Sequence, residues 1–203
     1  MNRGLYVAAS GMLAMQARQD QLSNDLANAA TPGYKQDRTA QKAFGELLVR
    51  NVQGNQQVGT MAAGVRLEEQ TTDLRAAPLR PTDEPLDLAV DGEGYFGVQT
   101  DQGVRYTRNG RFASAADGTV DPATVGVFAL TDVVKAGDGN FTGRSTAQAA
   151  GKVRTGELEG SGVDAARTMV EMMASLRAYE AGQKALTTID DTLGKAAGLG
   201  SIR

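Results

Sequence analysis

Cysteine, histidine and tryptophan are all absent from this chain of 203 residues. Without His and Cys there is no thiolate nucleophile, no Ser–His or Cys–His dyad, and none of the usual ligands of zinc, copper or haem. Without Cys no disulfide staples the fold, and cysteine usage gives no sign of redox compartment. Aromatic residues make up only 5%, so a large aromatic core is not expected. Burial then falls to Leu, Val, Met and Ala, which suits seams between helices. No basic block stands out: 21 basic and 24 acidic residues leave a net charge of −3, which argues against a phosphate-tracking surface and so against nucleic acid as a partner. No apolar run approaches the length of a membrane span. Near the N-terminus a weakly apolar stretch after Arg3 is broken by Gln16, Arg18, Gln19 and Asp20. That is a poor secretory signal, so export, if it occurs, takes another route.

What the chain does have is two periodic ends. Leu5, Ala8, Met12, Met15, Gln19, Leu22, Leu26 and Ala29 are spaced alternately three and four apart, the a/d stripe of a heptad with one polar break. The helix must stop at Thr31-Pro32-Gly33, because proline lacks a donor and disfavours helix in the residue before it. Met169, Met172, Leu176, Tyr179, Gln183, Leu186, Asp190 and Leu193 repeat the spacing near the C-terminus. Ser161 or Asp164 could cap that helix, and Gly194, Gly198 and Gly200 loosen its end. Each stripe can be buried on the other helix, on the middle of the chain, or on neighbouring subunits. An ordinary helix pair capping a globular domain is the plainer choice. The polar positions Gln19, Gln183 and Asp190 favour a seam that selects its register on assembly, since such groups specify partners at a cost in stability.

Between the helices, residues 37–85 carry scattered Gly, Gln and Thr with little periodicity and read as an extended linker. Phe44 to Val49 is a short apolar run, read as a helical turn or packing clip. Three prolines between Ala77 and Pro85 force an extended path. A β-rich zone follows over 86–150. Leu86–Val90, Tyr95–Gln99, Val104–Arg108 and Val125–Leu130 read as strands. Asn109-Gly110 reads as a hairpin turn with both residues at positive φ, and Asp117-Gly118 as a further turn.

Chemical motifs in this stretch are weak. Gly92-Glu93-Gly94-Tyr95-Phe96-Gly97 is a literal G-x-G-x-x-G, but a strand follows where a dinucleotide site needs a helix. Asp138-Gly139-Asn140 lacks most calcium-loop ligands, and Asn140-Phe141-Thr142 matches a glycosylation sequon by pattern only. The paired acids Glu68-Glu69 and Asp190-Asp191 read as solvated surface, with nothing to set them across a cleft. No catalytic, metal or cofactor residue is assigned, and neither a cofactor nor a small-molecule substrate is expected.

Four blocks, in order, resemble the flagellar rod and hook proteins. They are Ala9-Ser10-Gly11-Met12 with Leu26–Lys35, including Asn28, Thr31, Pro32, Gly33 and Tyr34; Leu86–Phe96; Tyr106–Phe112; and Leu158–Asp164 with Met169–Met173 and Arg177–Ala181. The sequence departs from the family pattern at Asp25, Gly162 and Gly182, where the family prefers Asn. Its β region is also short, with only Asp121–Thr124 where the family has several more strands. The resemblance implies a non-enzymatic axial protein, exported by the flagellar type III apparatus without a cleaved signal. It would polymerise with copies of itself and other rod or hook proteins in the basal body, within the cell envelope.

The expected architecture is α+β. It has an N-terminal rod helix (1–36), the linker (37–85), a small, reduced antiparallel β domain (86–150) and a C-terminal rod helix (151–203). The terminal helices form a coiled-coil layer, with Leu5, Met12, Met15, Leu22 and Leu26 packing with Met169, Met172, Leu176, Tyr179 and Leu186. A non-polymerising rod-associated adaptor is the alternative; a ligand-binding β domain is a further one.

Overall fold

The computed structural model describes residues 3–43, 46–50, 57–62, 64–100, 103–112, 126–137, 139–148 and 151–200. Two helices at the chain's ends flank a β-rich region: α1 (Arg3–Ala27) and α2 (Ala165–Gly200). The chain divides into two compact units, neither continuous in sequence.

The helical unit comprises Met1–Asn24, Thr39–Thr71 and Ala166–Arg203. Four strands cross it or its boundary: β1 (Asp37–Ala43), β2 (Glu46–Arg50), β3 (Gln57–Ala62) and β4 (Val65–Thr72). β1 pairs with β4, and β2 pairs antiparallel with β3 from Glu46↔Ala62 to Arg50↔Gln57. Within this unit the helices run antiparallel. A Cβ on Gly4 would touch Ile189, one on Gly182 would meet Met12 Cγ at 2.9 Å, Ser175 Oγ donates to the Met15 carbonyl at 3.2 Å, and Arg18 pairs with Glu171 at 3.4 Å. α2 begins directly after Asp164, one of the two expected caps, and continues through Gly194 and Gly198.

The barrel unit comprises Asp25–Arg38 and Thr72–Ala165. It holds β5 (Leu79–Pro81), β6 (Leu88–Asp91), β7 (Tyr95–Thr100), β8 (Gly103–Thr107), β9 (Val127–Gly137), β10 (Asn140–Gln148), β11 (Lys152–Thr155) and β12 (Glu157–Glu159). β7, β8, β9 and β10 close into a small antiparallel barrel, while β11 pairs with β6 and β12 with β5. Alternation along β6 and β7 turns Leu88, Val90 and Phe96 inward with Val127, joined by Phe112 and Val153. Few as the aromatics are, they gather here: Tyr95–Phe141, Phe96–Phe112 and Tyr106–Phe128 pair at centroid distances of 5.4–5.8 Å in tilted or edge-on geometries.

Three expectations change. Residues 37–85 carry β1 to β5, where a linker was expected, and Glu46–Arg50 is a strand where Phe44–Val49 suggested a helical turn. Asn109-Gly110 is no hairpin turn: neither residue has positive φ, and Arg111 bridges to Asp87 instead of returning along β8. Gly110 is needed there for closeness, since a Cβ would collide with the Leu88 carbonyl oxygen, and the Leu88 amide donates to Gly110 O at 3.0 Å. The turn expected at Asp117-Gly118 lies outside the described residues.

Candidate functional site

Two places bring together the residues singled out by sequence. The first is the helix pair. Ala165, Thr168, Met172, Ser175, Tyr179, Gly182, Leu186, Ile189 and Leu193 are less exposed positions of α2 in a three-four alternation, joined by Glu171, which pairs with Arg18. Small residues (Thr168, Ser175, Gly182) alternate with large ones, which lets the helix backbones approach closely. On α1, Leu22 is buried and Leu5, Met12, Met15 and Leu26 are half-buried. Met172, Tyr179 and Leu186 therefore lie on the sheltered side, but Met169 and Leu176 do not. With Val170 and Met173 they form an outer stripe exposed from 38% at Leu176 to 62% at Val170. On α1, Tyr6 and Leu13, seven residues apart, are both about two-thirds exposed, at 66% and 67%. Singly exposed apolar residues are ordinary, whereas these four lie within about two turns of one helix.

The second place is a buried charged node in the barrel unit, where all four signature blocks contribute. Gly33 sits in the left-handed region at φ 67°, and its absent side chain lets it lie on the backbone of Arg108 and Asn109; a Cβ would stand 2.5 Å from the Arg108 carbonyl oxygen. Its amide donates to Glu159 O at 2.9 Å. Lys35 Nζ donates to Glu159 Oε1 at 2.7 Å, and Arg108 Nη1 to Glu159 Oε2 at 3.1 Å. All three side chains are buried. Tyr34 O accepts from the Gly162 amide at 2.8 Å, and Asn28 O from the Ser161 hydroxyl at 2.9 Å. Thr31 Oγ1 donates to Asn28 Oδ1 at 3.2 Å, closing the Thr31-Pro32 turn on itself. On the other side Lys135 Nζ stands 4.1 Å over the Tyr34 ring and donates to Asp37 Oδ2 at 2.8 Å.

Burial sets the electrostatics. It pulls the Lys35 ammonium below its ordinary value, opposed by the Glu159 carboxylate. Burial and the hydrogen bond to Asp25 push the Tyr34 hydroxyl well up, so it stays a donor, reaching Asp25 Oδ1 at 2.9 Å. Asp25 is itself raised, chiefly by burial and in spite of that hydrogen bond, and its Oδ2 has no hydrogen-bond partner. At the surface, the Arg75 guanidinium holds Asp73 down to about 2. Nothing in this set resembles a catalytic arrangement: Lys35 and Arg108 are held on Glu159, and Asp25 is held by the Tyr34 hydroxyl. Among the described residues no acidic cluster suited to a metal ion occurs, and no helix is long and apolar enough to cross a membrane. Sequence reading quoted Lys35, Arg108 and Glu159 inside motifs but gave them no role. Positions up to 124 residues apart leave no periodic signal of their pairing.

Comparison with known proteins agrees with the geometry. A family model for flagella basal body rod proteins matches residues 5–35, and one for the C-terminal part of flagellar basal body rod FlgEFG proteins matches residues 154–199. These segments contain most of α1, the turn after it, the end of the node and nearly all of α2. The chain is 27% identical over 264 aligned positions to the flagellar hook-basal body complex protein FlhO of Bacillus subtilis, covering 97% of this chain and 98% of that one. It is 26% identical to the flagellar basal-body rod protein FlgG of the same organism, covering 95% and 97%, and 27% identical to FlgF of Escherichia coli, covering 97% of each. Alignment over 264 positions against 203 residues leaves at least 61 positions of FlhO with no residue of this chain opposite them.

Proposed function

We propose, from the premise that this chain is a homologue of the flagellar basal-body rod proteins, that it is a structural subunit of the rod and not an enzyme. It assembles with copies of itself and with other axial proteins, and transmits torque through the contacts so formed. The observation that supports this most directly is the division of faces on α2. Thr168, Ser175 and Gly182 lie on its sheltered side toward α1, while Met169, Val170, Met173 and Leu176 stay in water. A helix whose own partner is satisfied and which still shows an apolar stripe is suited to adding further helices side by side. In the assembled rod the helices of successive subunits then form a coiled-coil layer. Export through the flagellar type III apparatus, without a cleaved signal, delivers the subunit to the cell envelope. On this reading the positions without a counterpart fall in the outward β region, which the sequence presents as reduced.

Leu176→Asp tests this reading. Leu176 is partly exposed, at 38%, so the variant is expected to fold and to be exported, yet to leave cells without a completed rod and non-motile in soft agar. Normal swimming of cells that carry only the variant would overturn the proposal.

A further inference from the structure

The node contains a conformational device, and its logic lies in the number of charges. Lys35 and Arg108 are two buried cations served by one carboxylate, Glu159, whose Oε1 also accepts the Ala77 amide at 2.8 Å. Their other contacts are uncharged, Arg75 O for Lys35, and Val90 O, Gly92 O and the Tyr95 ring, 5.1 Å from the guanidinium carbon, for Arg108, with the Asp73 carboxylate giving Lys35 only a minor pull. Two like charges cannot be brought together out of water on carbonyl dipoles and one aromatic ring without severe cost. Closure of the Gly33–Lys35 turn on Arg108 therefore requires the carboxylate from the far end of the chain.

The segment that brings it is held by polar contacts along its length. β12 pairs with β5, Glu157↔Pro81 to Glu159↔Leu79. Gly160 donates to Pro78 O at 2.9 Å, Ser161 to Asn28 O, and Gly162 to Tyr34 O. Leu158 and Val163 are its buried apolar anchors. The apolar core of the barrel unit, by contrast, is built from Leu88, Val90, Phe96 and Val127 with Phe112 and Val153, none of which belongs to this segment.

We infer that residues 157–164 form a strap that closes last over an already folded barrel, with Glu159 as its latch, so that the turn after α1 is locked only once the C-terminal part of the chain has arrived. Before latching, Lys35 and Arg108 keep apart by repulsion and remain hydrated. The strap and the Gly33–Lys35 turn then open and close together, below the free energy that unfolds the barrel. This inference stands on the node alone and does not depend on the assembly reading.

Native-state hydrogen exchange on the full chain tests it, comparing the wild type with Glu159→Gln and with the double variant Glu159→Gln, Lys35→Met. Gln keeps the size of the side chain and removes its charge. The single variant is expected to speed exchange of the Gly33, Gly160 and Gly162 amides at least tenfold, while amides in the β7–β8 pairing change less than twofold. Removing one of the two cations in the double variant is expected to recover most of the lost protection. Equal acceleration of strap and barrel amides, failure of the single variant to fold, unchanged exchange at all sites, or no recovery on removing Lys35 would each overturn the inference.

Discussion

At the scale of single residues, Asp25 is the most informative position. It stands where the family pattern prefers Asn, and it is buried with one oxygen unpartnered. Its folded-state pKa is raised. A carboxyl raised on folding binds its proton more tightly in the native state, so folding is penalised as pH rises past the unfolded value of 3.8. Asp25→Asn removes the charge and keeps an acceptor for the Tyr34 hydroxyl. The variant is expected to be more stable than wild type at pH 7 by about 1 kcal/mol, within the usual range for burying a poorly satisfied polar group. The gain should shrink as pH falls and vanish in acid, where Asp25 is neutral in both states. Denaturant melts from pH 4 to 8 measure this; a gain that is independent of pH would show that charge is not the cause. The motif around Asp25 was legible from sequence, but not its burial against Tyr34. A helix's last turn looks the same on paper whether it faces water or a tyrosine nine residues on.

At the scale of elements, helices were read better than strands. α1 ends ahead of Thr31-Pro32-Gly33, and α2 starts at one of its two expected caps, because proline, glycine and capping residues act locally. The face of α2 was harder to read. Hydrophobicity picked Met169 and Leu176, whereas the shelter of α1 goes to Thr168, Ser175 and Gly182, since close backbone approach rewards small side chains over apolar ones. This gives a graded prediction at Gly182. Replacing glycine by alanine within a helix gains about 1 kcal/mol, and Met12, the group a new Cβ would crowd, is flexible enough to move. Gly182→Ala should therefore be close to neutral, while Gly182→Val should destabilise by about 1–3 kcal/mol through overpacking. Urea unfolding followed by helix circular dichroism would check both, and a neutral valine would mean that the helices do not meet closely there. The strands within residues 37–85 were missed because Gln, Thr and Gly in that stretch give no two-residue alternation, and β5 finds its partner only in the distant β12. At Asn109-Gly110 the dipeptide suggested a turn, but the glycine is there for its contact with Leu88.

At the scale of the molecule, the α+β character was legible, but the partition into units was not. Each unit gathers pieces from distant parts of the chain, which no composition shift announces. The exposed apolar stripe on α2 carries a further expectation for the isolated protein. Its weight-average mass in sedimentation should rise with concentration, and Met173→Asp, which alters only an exposed side chain, should hold it at the monomer value; a monomer at all concentrations for wild type would count against lateral association. Finally, the node has a mechanical meaning. α1 ends and α2 begins at the same end of the antiparallel pair, where Arg18 meets Glu171, so a force separating those two chain ends would peel the helices apart one contact at a time, the weakest way to load them. Within the barrel unit, Asn28–Lys35 and Glu159–Gly162 are clasped by several hydrogen bonds and an ion pair that must break together. A load that pulls those two segments apart is therefore shared by all the contacts at once, whereas the helix pair gives way one contact at a time.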